Sequence, residues 1–190
     1  MPSLKLLLGA PCDGVIEMNV VIVYESIFGN TRVIAEAVAD GVREADPGGQ
    51  VAVVPVAEAT PEKTGDAALV IVGGPTHMRG MSRAFGREKA VEDAPDPGRV
   101  EPGAVGLGIR EWLDALPGAP REGKAAAFDT RLPYPLSGGA ARPIAKGLRK
   151  HGYAVVASPA GFIVEEAHGP LKSGERDRAQ AWGRDLASSL

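Results

Sequence analysis

Residues 19–31 read Asn-Val-Val-Ile-Val-Tyr-Glu-Ser-Ile-Phe-Gly-Asn-Thr. Residues 19–26 form a near-continuous apolar, β-branched run, the pattern of a strand buried on both faces of a parallel sheet. Over 31–42, Val33, Ile34, Ala37, Val38, Gly41 and Val42 then fall at helical spacing. The loop between strand and helix carries hydroxyls at both ends, Ser26 and Thr31, and Gly29 lets the backbone approach a ligand closely. The first amides of the helix have no intrahelical partner, and the helix dipole adds positive potential there. Such a loop holds a phosphate dianion without arginine or lysine. The same spacing also fits an ordinary strand-to-helix turn, capped by Ser26, Asn30 or Thr31.

Outward from this unit, further strands are expected over 51–56, 68–72 and 124–128. A fifth runs over 154–158 and is continued by 161–164 after a break at Pro159. The glycines at 73–74 are expected to stop the third strand, and Gly152 to cap a helix over 140–151. Residues 111–116 end another helix, and 175–186 close the chain with one. Strands alternating with helices imply an α/β fold, a parallel sheet with helices on both faces. Residues 87–106, rich in charge, Pro and Gly, read as an exposed loop within a single domain over 18–190. Residues 1–17 read as an N-terminal extension or start-site artefact, because Met18 is followed at once by the strand pattern, with an extra edge strand as the alternative; their apolar run is too short for a signal peptide.

The chain has 190 residues, of which 44% are hydrophobic and 24% charged, the balance of one globular domain. It lacks an apolar run of membrane-spanning length. A net charge of −3 gives no basic footprint for nucleic acid. The single cysteine, Cys12, excludes an intrachain disulfide, and a cytoplasmic setting is the expectation.

Several partial motifs fail on chemistry. Residues 118–125 approach a P-loop, but Ala125 stands where a Mg²⁺-holding hydroxyl belongs, and the segment precedes a strand rather than following one. Gly106-Leu-Gly108 lacks the third glycine of a dinucleotide fingerprint, since position 111 is Glu. A receiver-type acidic site fails because the third strand ends in glycines rather than an aspartate. His77, His151 and His168 show no metal-ligand spacing, so no metal site is expected.

Residues 24–31, YESIFGNT, closely resemble the phosphate loop of flavodoxin-like proteins. Gly73-Gly74-Pro75-Thr76-His77 resembles that family's second flavin loop, and Phe128-Asp129-Thr130-Arg131 falls where its third belongs. The resemblance covers roughly 18–190. It implies a doubly wound five-stranded parallel sheet of order 2-1-3-4-5, with FMN bound noncovalently. By it, Ser26, Ile27, Phe28, Gly29, Asn30 and Thr31 hold the phosphate. Pro75, Thr76 and His77 line one side of the isoalloxazine, and Asp129, Thr130 and Arg131 approach its other side or its pyrimidine edge. No catalytic acid or base is implied.

The chain departs from the family pattern in its aromatics and its charge. His77 and Met78 stand in the second loop, where flavodoxins usually carry a ring-stacking Trp or Tyr. Tyr134 is a stacking candidate, Phe28 a plug beside the phosphate, and Trp112 a packing residue. Flavodoxins that shuttle electrons are strongly acidic, and a net −3 gives little steering towards basic partners. Arg79, Arg83 and Arg87 read either as a solvated helix face or as a receptor for an anionic partner or a pyridine-nucleotide phosphate. The expected function is electron transfer through bound flavin. A carrier for a redox partner and an oxidoreductase acting on a small quinone or NAD(P)H are not separable here, and a homodimer is compatible with either. The alternative is a binding or regulatory module on the same fold without flavin.

Overall fold

The computed structural model describes residues 19–134 and 136–190. The expected extension over 1–17, with Cys12, lies outside them, as does Met18. Strand β1 (Asn19–Tyr24) lies between β2 (Gln50–Pro55) and β3 (Leu69–His77), parallel to both. Strand β3 pairs in parallel with β5 (Lys124–Arg131), and antiparallel at its far end with the two-residue β4 (Gly80–Met81). Both β6 (Ala154–Val155) and β7 (Ala160–Ile163) pair in parallel with β5, the first at its beginning and the second at its end. The main path therefore keeps the expected order 2-1-3-4-5, with its fifth position filled by two short pieces. Pro159 lies in the gap between them, where it has no N–H to give a ladder.

The third strand does not stop at its glycines, contrary to expectation. It continues through Gly73, Gly74 and Pro75, which pair with Phe128, Asp129 and Thr130 of β5. A Cβ at Gly73 would come within 2.0 Å of Phe128 Cζ, so this glycine makes room for the ring rather than ending the strand. Side chains alternate along the strands and feed two cores. Val20 and Ile22 face α1 (Asn30–Ala45) and α6 (Glu175–Ser188), together with Phe128 and Phe162. Val21 and Val23 face α4 (Ile109–Ala115) and α5 (Ala141–Lys150). Trp112 packs in this second core and donates from Nε1 to the Ala59 carbonyl at 2.7 Å, which matches its reading as a packing residue.

The expected loop over 87–106 begins inside a helix, α3 (Ala84–Glu92), which follows the short α2 (Pro61–Thr64) and β4 in the chain. Arg87 is correspondingly not on a solvated face. It is 2% exposed, donates to Ser82 Oγ at 2.9 Å and to the Gly106 carbonyl at 2.8 Å, and pairs with Glu111 at 3.3 Å. Glu25, at the end of β1, is buried beside it and accepts from the Ile109 amide at 2.8 Å. This buried charge cluster ties β1, α3 and α4 together directly beneath the carboxyl edge of the sheet.

Candidate functional site

A cleft of about 450 Å³ opens at that carboxyl edge, within the size range of small-molecule sites. One wall is the loop after β1, with Ser26, Ile27, Phe28, Asn30 and Thr31. A second is the end of β3, with Pro75, Thr76, His77 and Met78. Thr130, Arg131 and Leu132 from the end of β5 form a third. The structure thus brings together residues from all three segments singled out in the sequence. Asp129 and Gly29 are not among the lining residues; each acts behind the wall.

Gly29 precedes the first turn of α1 with φ +82°, a left-handed conformation that favours glycine. A Cβ there would also lie 3.0 Å from Glu101 Oε1. The Gly29 amide donates to Ser26 Oγ at 3.1 Å, so Ser26 closes the loop on itself and no side chain caps the helix. The α1 ladder begins with the Val33 amide donating to the Gly29 carbonyl at 3.0 Å. The amides of Asn30, Thr31 and Arg32 precede that ladder at the positive end of the helix dipole. The loop is held from outside by the Glu101 amide, which donates to the Ile27 carbonyl at 2.9 Å. Arg32 bridges Glu101 and Glu36 on the same outer side, at 3.1 and 2.8 Å.

Two further contacts join this loop to the rest of the cleft. The hydroxyls of Thr31 and Thr130 lie 2.8 Å apart and buried, which links α1 to the end of β5. Asn30 Nδ2 donates to the His168 carbonyl at 3.3 Å, and Arg99 Nη2 donates to the same oxygen at 3.1 Å. The His168 ring meets Phe28 edge-on at 4.6 Å between centroids. The segment after β7 is thereby strapped across the loop, and Val164, Ala167 and His168 complete that end of the cleft. Sequence reading gave His168 no role, because only the return of the chain after β7 brings it here. Lys89 and Ala90 of α3, with Asp93 at its C-cap, also line the cleft and were missed because this stretch read as a loop.

The cations that line the cleft are already engaged. Lys89 pairs with Asp93 at 2.8 Å and Glu92 at 3.3 Å. Arg131 is held by both oxygens of Asp129, at 2.6 and 2.9 Å. Asp129 also accepts from the Ala141 amide at 2.7 Å, where α5 begins. Burial pushes the Asp129 carboxyl above the ordinary aspartate range, and the Ala141 amide and Arg131 pull it back. Its place is structural, fixing Arg131 and the start of α5. An anion in the cleft therefore meets amides and hydroxyls before it meets free cations.

At the other end the walls are less furnished. His77 lies against α3, close enough that a Cβ on Gly86 would approach its ring to 2.9 Å. Met78 and Arg79 turn the chain with φ of +46° and +73°. Tyr134 is exposed and is not among the lining residues, so the stacking candidate stands outside the cleft. The described residues include no group of three His, Cys, Asp or Glu able to hold a metal. No helix among them is long and apolar enough to cross a membrane.

The flavodoxin family model matches residues 22–112, which contain the first two loops of the cleft. Solved structures with the same fold include a flavodoxin from Archaea, at 21% identity and TM-score 0.60, over 90% of this chain and 97% of that one. Flavodoxin 2 from Bacillus cereus is similar at 18% identity and TM-score 0.63, over 90% and 99%. A flavodoxin, WrbA-like protein from Agrobacterium tumefaciens is similar at 17% identity and TM-score 0.53, over 90% and 96%. At these identities the likeness to solved structures is one of fold. No curated protein matches the chain.

Proposed function

We propose that the chain is a flavodoxin-like protein, that its cleft binds FMN noncovalently and that the protein transfers electrons through it. The observation that carries this reading is the meeting of three loops at one cleft around the open N-terminus of α1, with Thr31 and Thr130 hydroxyls 2.8 Å apart. The residues present suit the group. The amides of Asn30, Thr31 and Arg32, with the hydroxyls of Ser26 and Thr31, would hold the terminal phosphate, a dianion that needs many donors and tolerates few carboxylates. Pro75, Thr76 and His77 on one side, and Leu132 and Val164 on the other, would border the flavin ring.

Bound FMN supplies the redox chemistry, and the protein supplies binding, orientation and electrostatics. Arg131 stands in the third wall with its charge offset by Asp129, and would give the ring's edge an oriented N–H donor rather than a free positive charge. His168 and Phe28, in edge-on contact, border the phosphate end.

The test is a visible absorption spectrum of the purified protein after FMN is added and then removed by desalting. Flavin absorption retained in proportion to protein is the expected result. Loss of all flavin even after high added FMN overturns the reading and leaves a flavin-free module on this fold.

A further inference from the structure

Four large apolar side chains are far more exposed than any others among the described residues. They are Met78 at 88%, Phe85 and Leu136 at 76%, and Tyr134 at 63%. All four lie on the two segments that border the ring end of the cleft, one running from the end of β3 into the first turn of α3 and the other between β5 and α5. The segments are joined: Arg79 bridges to Gly138, and the Gly139 amide donates to the Arg79 carbonyl at 3.3 Å. Phe85 lies one helical turn from Lys89, which lines the cleft.

The charge on this rim is one-sided. Residues 78–85 and 132–142 contain Arg79, Arg83 and Arg142, all exposed, and no Asp or Glu. None of the three arginines has an ion-pair partner among the described residues. Exposed carboxylates near the cleft lie outside these two segments: Glu165 and Glu166 on the strap at its phosphate end, Glu88 less than a turn beyond Phe85 on α3, and Glu92 and Asp93, both paired with Lys89, at the end of that helix. A net charge of −3 for the chain makes this basic patch a local feature rather than a reflection of composition.

We propose that the ring-end rim is the docking face for a redox protein whose own surface is acidic around an apolar centre. Met, aromatic side chains and Arg are the residue types enriched in protein interfaces. Unpaired arginines flanking an exposed apolar patch attract carboxylates and set orientation and on-rate. A two-fold contact between copies of this chain would bring the same arginines together, which disfavours a second copy as the occupant. The inference rests on the proposed FMN site, since docking here places a partner beside the flavin.

The test uses FMN-loaded protein and, as probe, a reduced acidic [2Fe–2S] ferredoxin. One electron leaves the reduced cluster and arrives on the oxidised flavin, followed by stopped-flow absorbance against ionic strength. The expected second-order rate falls about tenfold or more from low to high salt, as for attraction between opposite charges. The triple variant Arg79→Glu, Arg83→Glu, Arg142→Glu should lose about tenfold at low salt and reverse the salt slope, with flavin retained. The chain's net charge alone gives the opposite sign for an acidic probe. A rate that rises with salt, or one unchanged by the triple variant, overturns the proposal. So does a dimer by light scattering that dissociates when Phe85 and Leu136 are both changed to Ser. Failure to retain FMN defeats the flavin reading instead and is seen in the spectrum before mixing.

Discussion

The two ends of the cleft are built to different standards. At the phosphate end, every residue of the loop 26–31 is fixed by a neighbour. Ser26 holds the Gly29 amide, Glu101 holds Ile27, Asn30 holds the His168 carbonyl, and Thr31 meets Thr130. At the ring end, Met78 stands 88% exposed on a left-handed turn, and its neighbour Arg79 is secured by one long hydrogen bond of 3.3 Å. Preorganised donors lose little entropy when a ligand arrives, whereas exposed side chains must be ordered first. On this account the binding energy for FMN is concentrated at the phosphate, and the ring end is left free for a partner.

The sharpest way to break the contrast is Gly29→Val. A β-branched residue at φ +82° costs at least about 1–2 kcal/mol, and its Cβ would press on Glu101. FMN affinity should fall about 100-fold, read by quenching of flavin fluorescence, with the far-UV spectrum preserved. Thr31→Val comes next. Loss of one hydrogen bond to a charged group is worth about 1.5–3 kcal/mol, so FMN should bind at least tenfold more weakly. Riboflavin, which lacks the phosphate, should be unaffected, and an equal loss for both flavins would place the Thr31 hydroxyl at the ring instead.

A third prediction concerns the charge cluster beneath the cleft. Burial pushes the Glu25 carboxyl above the ordinary glutamate range, against the pull of Ser82, the Ile109 amide and Arg87. A carboxyl with a raised folded-state pKa binds its proton more tightly folded than unfolded. Its contribution to stability is therefore greatest at low pH and declines as pH rises from about 4.3, the unfolded value, through the raised one. Glu25→Gln should flatten that part of the pH dependence in urea denaturation, and an unchanged slope would show that Glu25 ionises normally. The smallest effect is expected from Tyr134→Ala. An exposed side chain outside the cleft should alter stability by less than about 0.5 kcal/mol and FMN affinity by less than about twofold. A larger loss of affinity would return Tyr134 to the ring.

What the sequence made legible follows the same division. The β-branched run of β1, the helical spacing of α1 and the loop between them are local patterns, so the fold class and the phosphate end could be read directly. Strand ends were harder. Gly73 and Gly74 have the composition of a stop, yet β5 supplies ladder partners and Phe128 fills the space above Gly73. Helix α3 shows no clear apolar stripe, because Arg87 is its buried anchor and Phe85 points outward. Arginine in a charged stretch reads as solvated until Ser82, Gly106 and Glu111 are seen around it. His168 is remote in sequence from the loop it covers, and no spacing rule links residue 30 to residue 168.

The most direct measurement is a paired titration of the apoprotein with FMN and with riboflavin, followed by fluorescence quenching. Phosphate-centred binding predicts that FMN binds at least about 100-fold more tightly, equivalent to about 2.7 kcal/mol carried by the 26–31 loop. Equal affinities for the two flavins would contradict it and move the binding energy to the ring.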